Sequence, residues 1–131
     1  MATALKGTST VCFVWKVPTP EGVQALRDFF EFHFTYMQEK SYQQGPLELI
    51  QYTISESPEY DNDASWHEGQ FPRTTGRTIF TLFEIYRTPD GLHHHFIDGK
   101  DFAPELYEIA TTYNIELHIM NQMKVIQSLW D

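Results

Sequence analysis

Glu84 sits inside a run of apolar and aromatic residues, Ile79 to Tyr86, and His93, His94 and His95 follow in direct succession after a short turn. A carboxyl group among rings and beside imidazoles is the material of general acid–base chemistry. Histidine exchanges a proton near neutral pH, and an adjacent carboxylate can hold its tautomer. The same residues also suit a ligand pocket, or a core in which the acid accepts structural hydrogen bonds. Successive helix residues point about 100° apart, so three consecutive histidines cannot all enter one pocket and at least one faces solvent. This geometry also weakens a metal site, because helical ligands favour a spacing of three or four residues. Only an extended segment would put His93 and His95 on one face, with His67 or His118 to complete a set. The metal-free reading is preferred, and no residue is assigned as a metal ligand.

Composition narrows the function classes. A chain of 131 residues is one domain by size, 1–131, and long enough to bury a core without disulfide or metal staples. Ten Phe and seven Tyr mean either a bulky core or a pocket lined with rings. The net charge of -9, with no cluster of Lys and Arg, argues against nucleic acid as a partner. Cys12 is the single cysteine, which excludes an internal disulfide and fits a small strand residue. The apolar run near the N-terminus is only about six residues, shorter than a secretory core normally needs. No stretch approaches the roughly 20 apolar residues of a membrane span, so no membrane role and a cytoplasmic location are expected.

The elements that must position Glu84 and the histidines can be read in order. Val11 to Val17 alternates as a first strand, with Val11, Phe13, Trp15 and Val17 on one face and Cys12, Val14 and Lys16 on the other. Thr19, Pro20 and Glu21 form a helix start. Val23, Leu26, Phe30, Phe34 (or His33) and Met37 then mark one helix face, ending before Gly45 and Pro46. Leu47 to Ser55 reads as a second strand, with Ile50, Tyr52 and Ile54 sharing a face. The polar stretch 56–77 reads as a long loop insertion, either a mobile segment or a lid, with Trp66, His67 and Phe71 arguing for some docking. Thr78 to Arg87 is the third strand, apolar on both faces. Thr88, Pro89 and Asp90 begin a helix through Ile97, and a second helical piece starts near Phe102. Lys124 to Trp130 alternates as a final strand, while Ile115 to Met120 is left open between strand and helix.

The order β-α-β-β-α-β is that of an α+β, ferredoxin-like domain with a four-stranded antiparallel sheet and helices on one face. The second sheet face is apolar and bare of helices, which predicts a homodimer through that open face.

The segment FEIYRTPDGLHHHFIDGKDF resembles the signature of the antibiotic biosynthesis monooxygenase family of dimeric α/β-barrel proteins. On that pattern Glu84 matches the strand acid, Tyr86 the aromatic after it, Leu92 a helix core position, His95 the family histidine and Phe102 the closing aromatic. Gly91 departs from the family's usual small residue such as alanine, Asp101 departs from its His-Phe pair, and 56–77 exceeds its usual link. The resemblance implies a cofactor-independent monooxygenase-like enzyme acting on a small aromatic or quinol-type compound. His95 and Glu84 would be the catalytic pair, and Trp15, Tyr52, Trp66, Tyr86 and Phe102 the ring contacts to the substrate. Two other functions fit the same fold: a non-catalytic protein that binds a small ligand or another protein, and a heme-binding or heme-degrading relative with His95 as ligand. The heme reading is the weaker, since strand one lacks the asparagine those relatives carry.

Overall fold

The computed structural model describes residues 4–130, so residues 1–3 and 131 of the expected single-domain span lie outside the described residues. Four strands, β1 (Ser9–Val17), β2 (Leu49–Tyr60), β3 (Thr74–Tyr86) and β4 (Glu116–Lys124), form one sheet in the order β2-β3-β1-β4, every neighbouring pair antiparallel. The helices are α1 (Pro20–Lys40), α2 (Pro89–Asp98) and α3 (Phe102–Thr112). This is the ferredoxin-like arrangement expected from the element order, with its second helical layer divided between α2 and α3.

Local chemistry starts α1 and α2 beside the sheet. Thr19 and Thr88 are the N-caps of α1 and α2, and each Oγ1 accepts the amide N–H three residues on, from Gly22 and Gly91, at 3.1 Å. Pro20 and Pro89 occupy the first helical positions, where a missing N–H costs nothing. Gly91 suits a close approach: a Cβ there would lie 3.2 Å from the backbone of Leu47, just before β2, tighter than an ordinary contact, so a side chain would need a small shift of α2 or of that segment.

Register decides which residues meet the helices. Val11 lies opposite Glu84, Phe13 opposite Leu82 and Trp15 opposite Phe80, and Tyr52 and Ile54 of β2 lie opposite Glu84 and Leu82. These side chains share the helix-covered face. Trp15, Phe80 and Leu82 pack with Leu26, Phe29 and Phe30 of α1 and Leu106 of α3 to form the main core. A smaller cluster joins Val11, Tyr86 and Leu92 under α2. Burial of large apolar side chains, at roughly 1.5–3 kcal/mol each, is what holds the helices to this face.

Two expectations are corrected. The last strand is Glu116–Lys124 rather than Lys124 to Trp130. Among the described residues only β1 pairs with it; β1 begins at Ser9, opposite Lys124, Val125 still bonds the backbone of Thr8 and Gly7, and the residues from Ile126 on have no strand to join. Ile126, Leu129 and Trp130 are consequently exposed. The second correction concerns the loop 56–77. β2 runs on through Tyr60 and β3 begins at Thr74, leaving only 61–73 as the connection, with a 3-10 turn at Ala64–Glu68. Polar composition hid this hairpin: Glu59 accepts hydrogen bonds from Arg77 Nε and Thr75 Oγ1, both at 2.7 Å, so cross-strand ion pairing replaces apolar packing there.

Candidate functional site

Glu84 is carried by the central strand β3 on the helix-covered face and is 1% exposed. Tyr86, two residues on and therefore on the same face, donates its hydroxyl to Glu84 Oε1 at 2.9 Å. α2 then brings His95 over the pair: its Nε2 lies 3.7 Å from Glu84 Oε1, and its ring stacks 5.6 Å from that of Tyr86. The three histidines diverge as helix geometry requires. His94 turns to the ring of Tyr42 and His93 is exposed, leaving His95 as the inward one.

α1 supplies a residue that was read from the sequence only as an alternative helix-face position. His33 is 7% exposed, whereas its neighbour Phe34 is 49% exposed. The His33 ring lies 6.0 Å from that of His95 and 5.2 Å from that of Phe102, and Nδ1 shares a 2.8 Å hydrogen bond with the Tyr52 hydroxyl. The available signal was spacing, since Leu26, Phe29, Phe30, His33 and Met37 are the buried run at intervals of three and four.

These side chains border a cavity of about 240 Å³ between the sheet and all three helices. Phe13, Trp15, Phe29, Phe96, Phe102 and Leu106 make its walls apolar, and Glu84, His33 and His95 bring polar atoms to it. A larger hollow of about 490 Å³ opens between α1 and β2 around Phe34 and Ile54, but it contains no histidine and no buried carboxyl. The chemistry gathers in the smaller and deeper space.

Of the residues singled out from sequence, Glu84, His95, Trp15 and Phe102 line the cavity, with Tyr86 and Tyr52 bound to Glu84 and His33 behind it. Trp66 is not brought there. It is 62% exposed in the 3-10 turn, stacked 3.7 Å from the ring of His67. Its place in the β2–β3 hairpin, away from the helix layer, removes it from the ring contacts within this chain. His118 pairs with Glu116 on the open sheet face, so neither His67 nor His118 joins His93 and His95. Among the described residues no cluster of three His, Cys, Asp or Glu is placed to hold a metal ion.

Burial sets the protonation of the site. Desolvation pushes the Glu84 carboxyl up to about 7, partly offset by the Tyr86 hydrogen bond that favours its ionised form. It pushes His95 down to about 4 against the attraction of Asp98, and His33 down to about 4 with help from His95. Tyr52 and Tyr86 are both raised by burial and by Glu84, so they remain donors. The Glu84–His95 contact is therefore not a resting ion pair. Near pH 7 two neutral imidazoles face a carboxyl poised between its two forms.

No family model and no curated protein matches the sequence. Among solved structures the chain is similar to a Deinococcus radiodurans protein described as a candidate antibiotic biosynthesis monooxygenase, with a TM-score of 0.44 and 12% identity over 92% of this chain and 98% of that one. No helix among the described residues is long and apolar enough to cross a membrane.

Proposed function

We propose that the protein is a cofactor-independent monooxygenase-like enzyme that oxidises a small aromatic or quinol-type compound in the cavity beside Glu84 and His95. The observation that carries this reading is the coincidence of a ring-walled space with a carboxyl whose proton affinity lies near neutrality. At about 240 Å³ the space is slightly below the roughly 300–1,000 Å³ of common small-molecule pockets, which suits one or two fused rings. A porphyrin needs more room than this, so the residues present do not fit a heme.

The sequence reading casts His95 as base and Glu84 as its orienter. The electrostatics favour sharing the task differently. Once ionised, Glu84 is the stronger proton acceptor, and His95, 3.7 Å away, can relay a proton to it. Removal of the substrate's phenolic proton leaves an anion rich enough to reduce oxygen directly. For a phenol with a free para position, one oxygen atom ends on that ring carbon and the other leaves as water, giving the quinone. The ring loses four electrons and the oxygen molecule gains four, so no added reductant is required.

Oxygen uptake over a panel of phenols and quinols tests the reading. His95→Ala should lower turnover at least about 100-fold, the usual contribution of a positioned acid–base group. Wild-type protein inert toward the whole panel, or a His95→Ala variant as active as wild type, would sink it. In that event a non-catalytic small-ligand protein is the better account.

The expected homodimer belongs to the same proposal. Val14, Ile79 and Phe83 lie on the sheet face that carries no helix, which favours a second copy packing there. Sedimentation of wild type and Phe83→Lys checks this: dimer for the first and monomer for the second.

A further inference from the structure

His33 lines the cavity, yet the proton transfer between substrate, His95 and Glu84 makes no use of it. Its Nδ1 shares a 2.8 Å hydrogen bond with the Tyr52 hydroxyl, the only hydrogen bond of either side chain among the described residues. One placement of protons serves both groups. A phenolic hydroxyl with no other acceptor in the chain donates to Nδ1, and burial raises Tyr52 so that it keeps its proton. Burial also leaves His33 neutral, pushed down to about 4. A neutral imidazole that accepts at Nδ1 carries its own proton on Nε2.

The two ring nitrogens point in nearly opposite directions, so Nε2–H is turned away from the Tyr52 hydroxyl. Nε2 makes no hydrogen bond among the described residues, and it is not closed to solvent, since Trp15 Nε1 is the one sealed side-chain polar atom among them without a partner. The space it opens on is the cavity: His33 borders that hollow and not the larger one around Phe34. Phe102 and His95 meet the His33 ring edge-on at 5.2 and 6.0 Å, and Phe29 stacks on it at 6.1 Å. A fixed N–H therefore stands among rings on the cavity that also holds Glu84. Lys100 borders the same cavity, but it is exposed and stays hydrated.

We propose that His33 holds the ligand's anion, its Nε2–H donating to the same oxygen whose proton passes through His95 to Glu84. This rests on the cavity being a site for an acidic hydroxyl, as proposed above, and adds the group that the proton transfer needs. An ordinary phenol, at about 10, is a weaker acid than Glu84, at about 7, so the transfer runs uphill until a donor stabilises the phenolate. In this step the ligand O–H bond breaks, an O–H bond forms on Glu84, and no electron leaves the ligand. The carboxyl ends neutral and the negative charge rests on the ligand oxygen, where a donor fixed in an apolar wall acts without reorganisation. The rings of His33 and His95, 6.0 Å apart, are near enough for one oxygen to be met from both sides.

Optical titration of 4-nitrophenol on the full chain tests this, because its phenolate absorbs at longer wavelength than its phenol. Bound to wild type it should ionise about one to two pH units lower than when bound to His33→Leu, the worth of one hydrogen bond to a charged group. His33→Gln, which keeps an N–H near the Nε2 position, should recover at least half of that difference. Nitrogen-15 NMR of wild-type His33 should show the proton on Nε2 and move that N–H signal downfield when the phenolate binds, whereas Tyr52→Phe should let both tautomers appear. This measurement decides the matter if His33→Leu does not fold. An ionisation point unchanged in His33→Leu, no recovery in His33→Gln, a wild-type proton on Nδ1, or an Nε2–H signal indifferent to the probe would overturn the proposal. Failure of 4-nitrophenol to bind removes this inference together with the phenol site, and binding that is indifferent to His33 removes this inference alone. Ionisation that depends on His33 without any oxygen uptake keeps it and removes the enzyme.

Discussion

Glu59 and Glu84 are both carboxylates shielded on the same four-stranded sheet, but one is met by cations and the other by rings. Glu59 lies on the open face, where Arg77 Nε and Nη2 approach at 2.7 and 2.9 Å, Thr75 donates at 2.7 Å and Lys16 Nζ stands 3.6 Å away. The Arg77 and Thr75 hydrogen bonds hold its carboxyl well below the ordinary range. Glu84 lies under the helices with one hydrogen bond from Tyr86 and a neutral histidine nearby, and its carboxyl is raised. Shielding from water is common to both. The partners set the sign, and only the carboxyl without a cation is left able to exchange a proton near neutrality.

The largest test of this contrast is catalytic. Glu84→Gln keeps an acceptor for Tyr86 and removes the titrating group, so oxygen uptake should fall about 10²- to 10⁴-fold. On the proposed mechanism the deprotonated carboxyl is the active form, so the wild-type rate should rise with pH and level off above about 7. A wild-type profile flat from pH 5 to 9 would remove Glu84 from proton transfer. Glu59→Gln should leave turnover within about 3-fold of wild type, since Glu59 is not among the cavity residues.

Stability gives the next effect. A raised carboxyl binds its proton more tightly in the folded state, so its contribution is most favourable below the unfolded value of 4.5 and is lost as pH rises to about 7. Glu84→Gln should therefore match wild type in acid and become more stable by about 1–3 kcal/mol above pH 7, read from urea unfolding at a series of pH values. Glu59 runs the other way. Its depressed carboxyl stabilises above pH 4.5, and that gain is lost as pH falls to about 2. Glu59→Gln should be less stable than wild type near pH 7, with the difference fading in acid, and by a smaller margin because Arg77 is partly exposed. His33 and His95, lowered to about 4, also cost stability as pH drops below 6.5, but that effect is common to all three proteins and cancels in the differences. The same sign of pH dependence in both variants would break the comparison.

Much of this was legible in the chain before any fold was known. Alternation from Val11 to Val17, the Thr-Pro starts of α1 and α2 and the two-sided apolar pattern of Ile79 to Tyr86 fixed the element order and hence the sheet, because strand and helix periods are local properties. Helix geometry alone required His93, His94 and His95 to diverge. The outer reach of the β2–β3 hairpin was hidden because its stability comes from pairing Glu59 with Arg77, eighteen residues apart, rather than from an apolar stripe. The last strand was misplaced because alternation at Lys124 to Trp130 was present without a partner strand to meet it.

The site divides along the same line. Sequence supplied its residue types and the pairing of Glu84 with His95, since both sit near one strand-to-helix turn. Only the tertiary structure added His33 from α1, excluded Trp66, and left the Trp15 N–H unpaired. Proton affinity was decided there as well. Whether a carboxyl finds an arginine or a tyrosine depends on which strand neighbours it and which face it takes, and those are long-range consequences of packing.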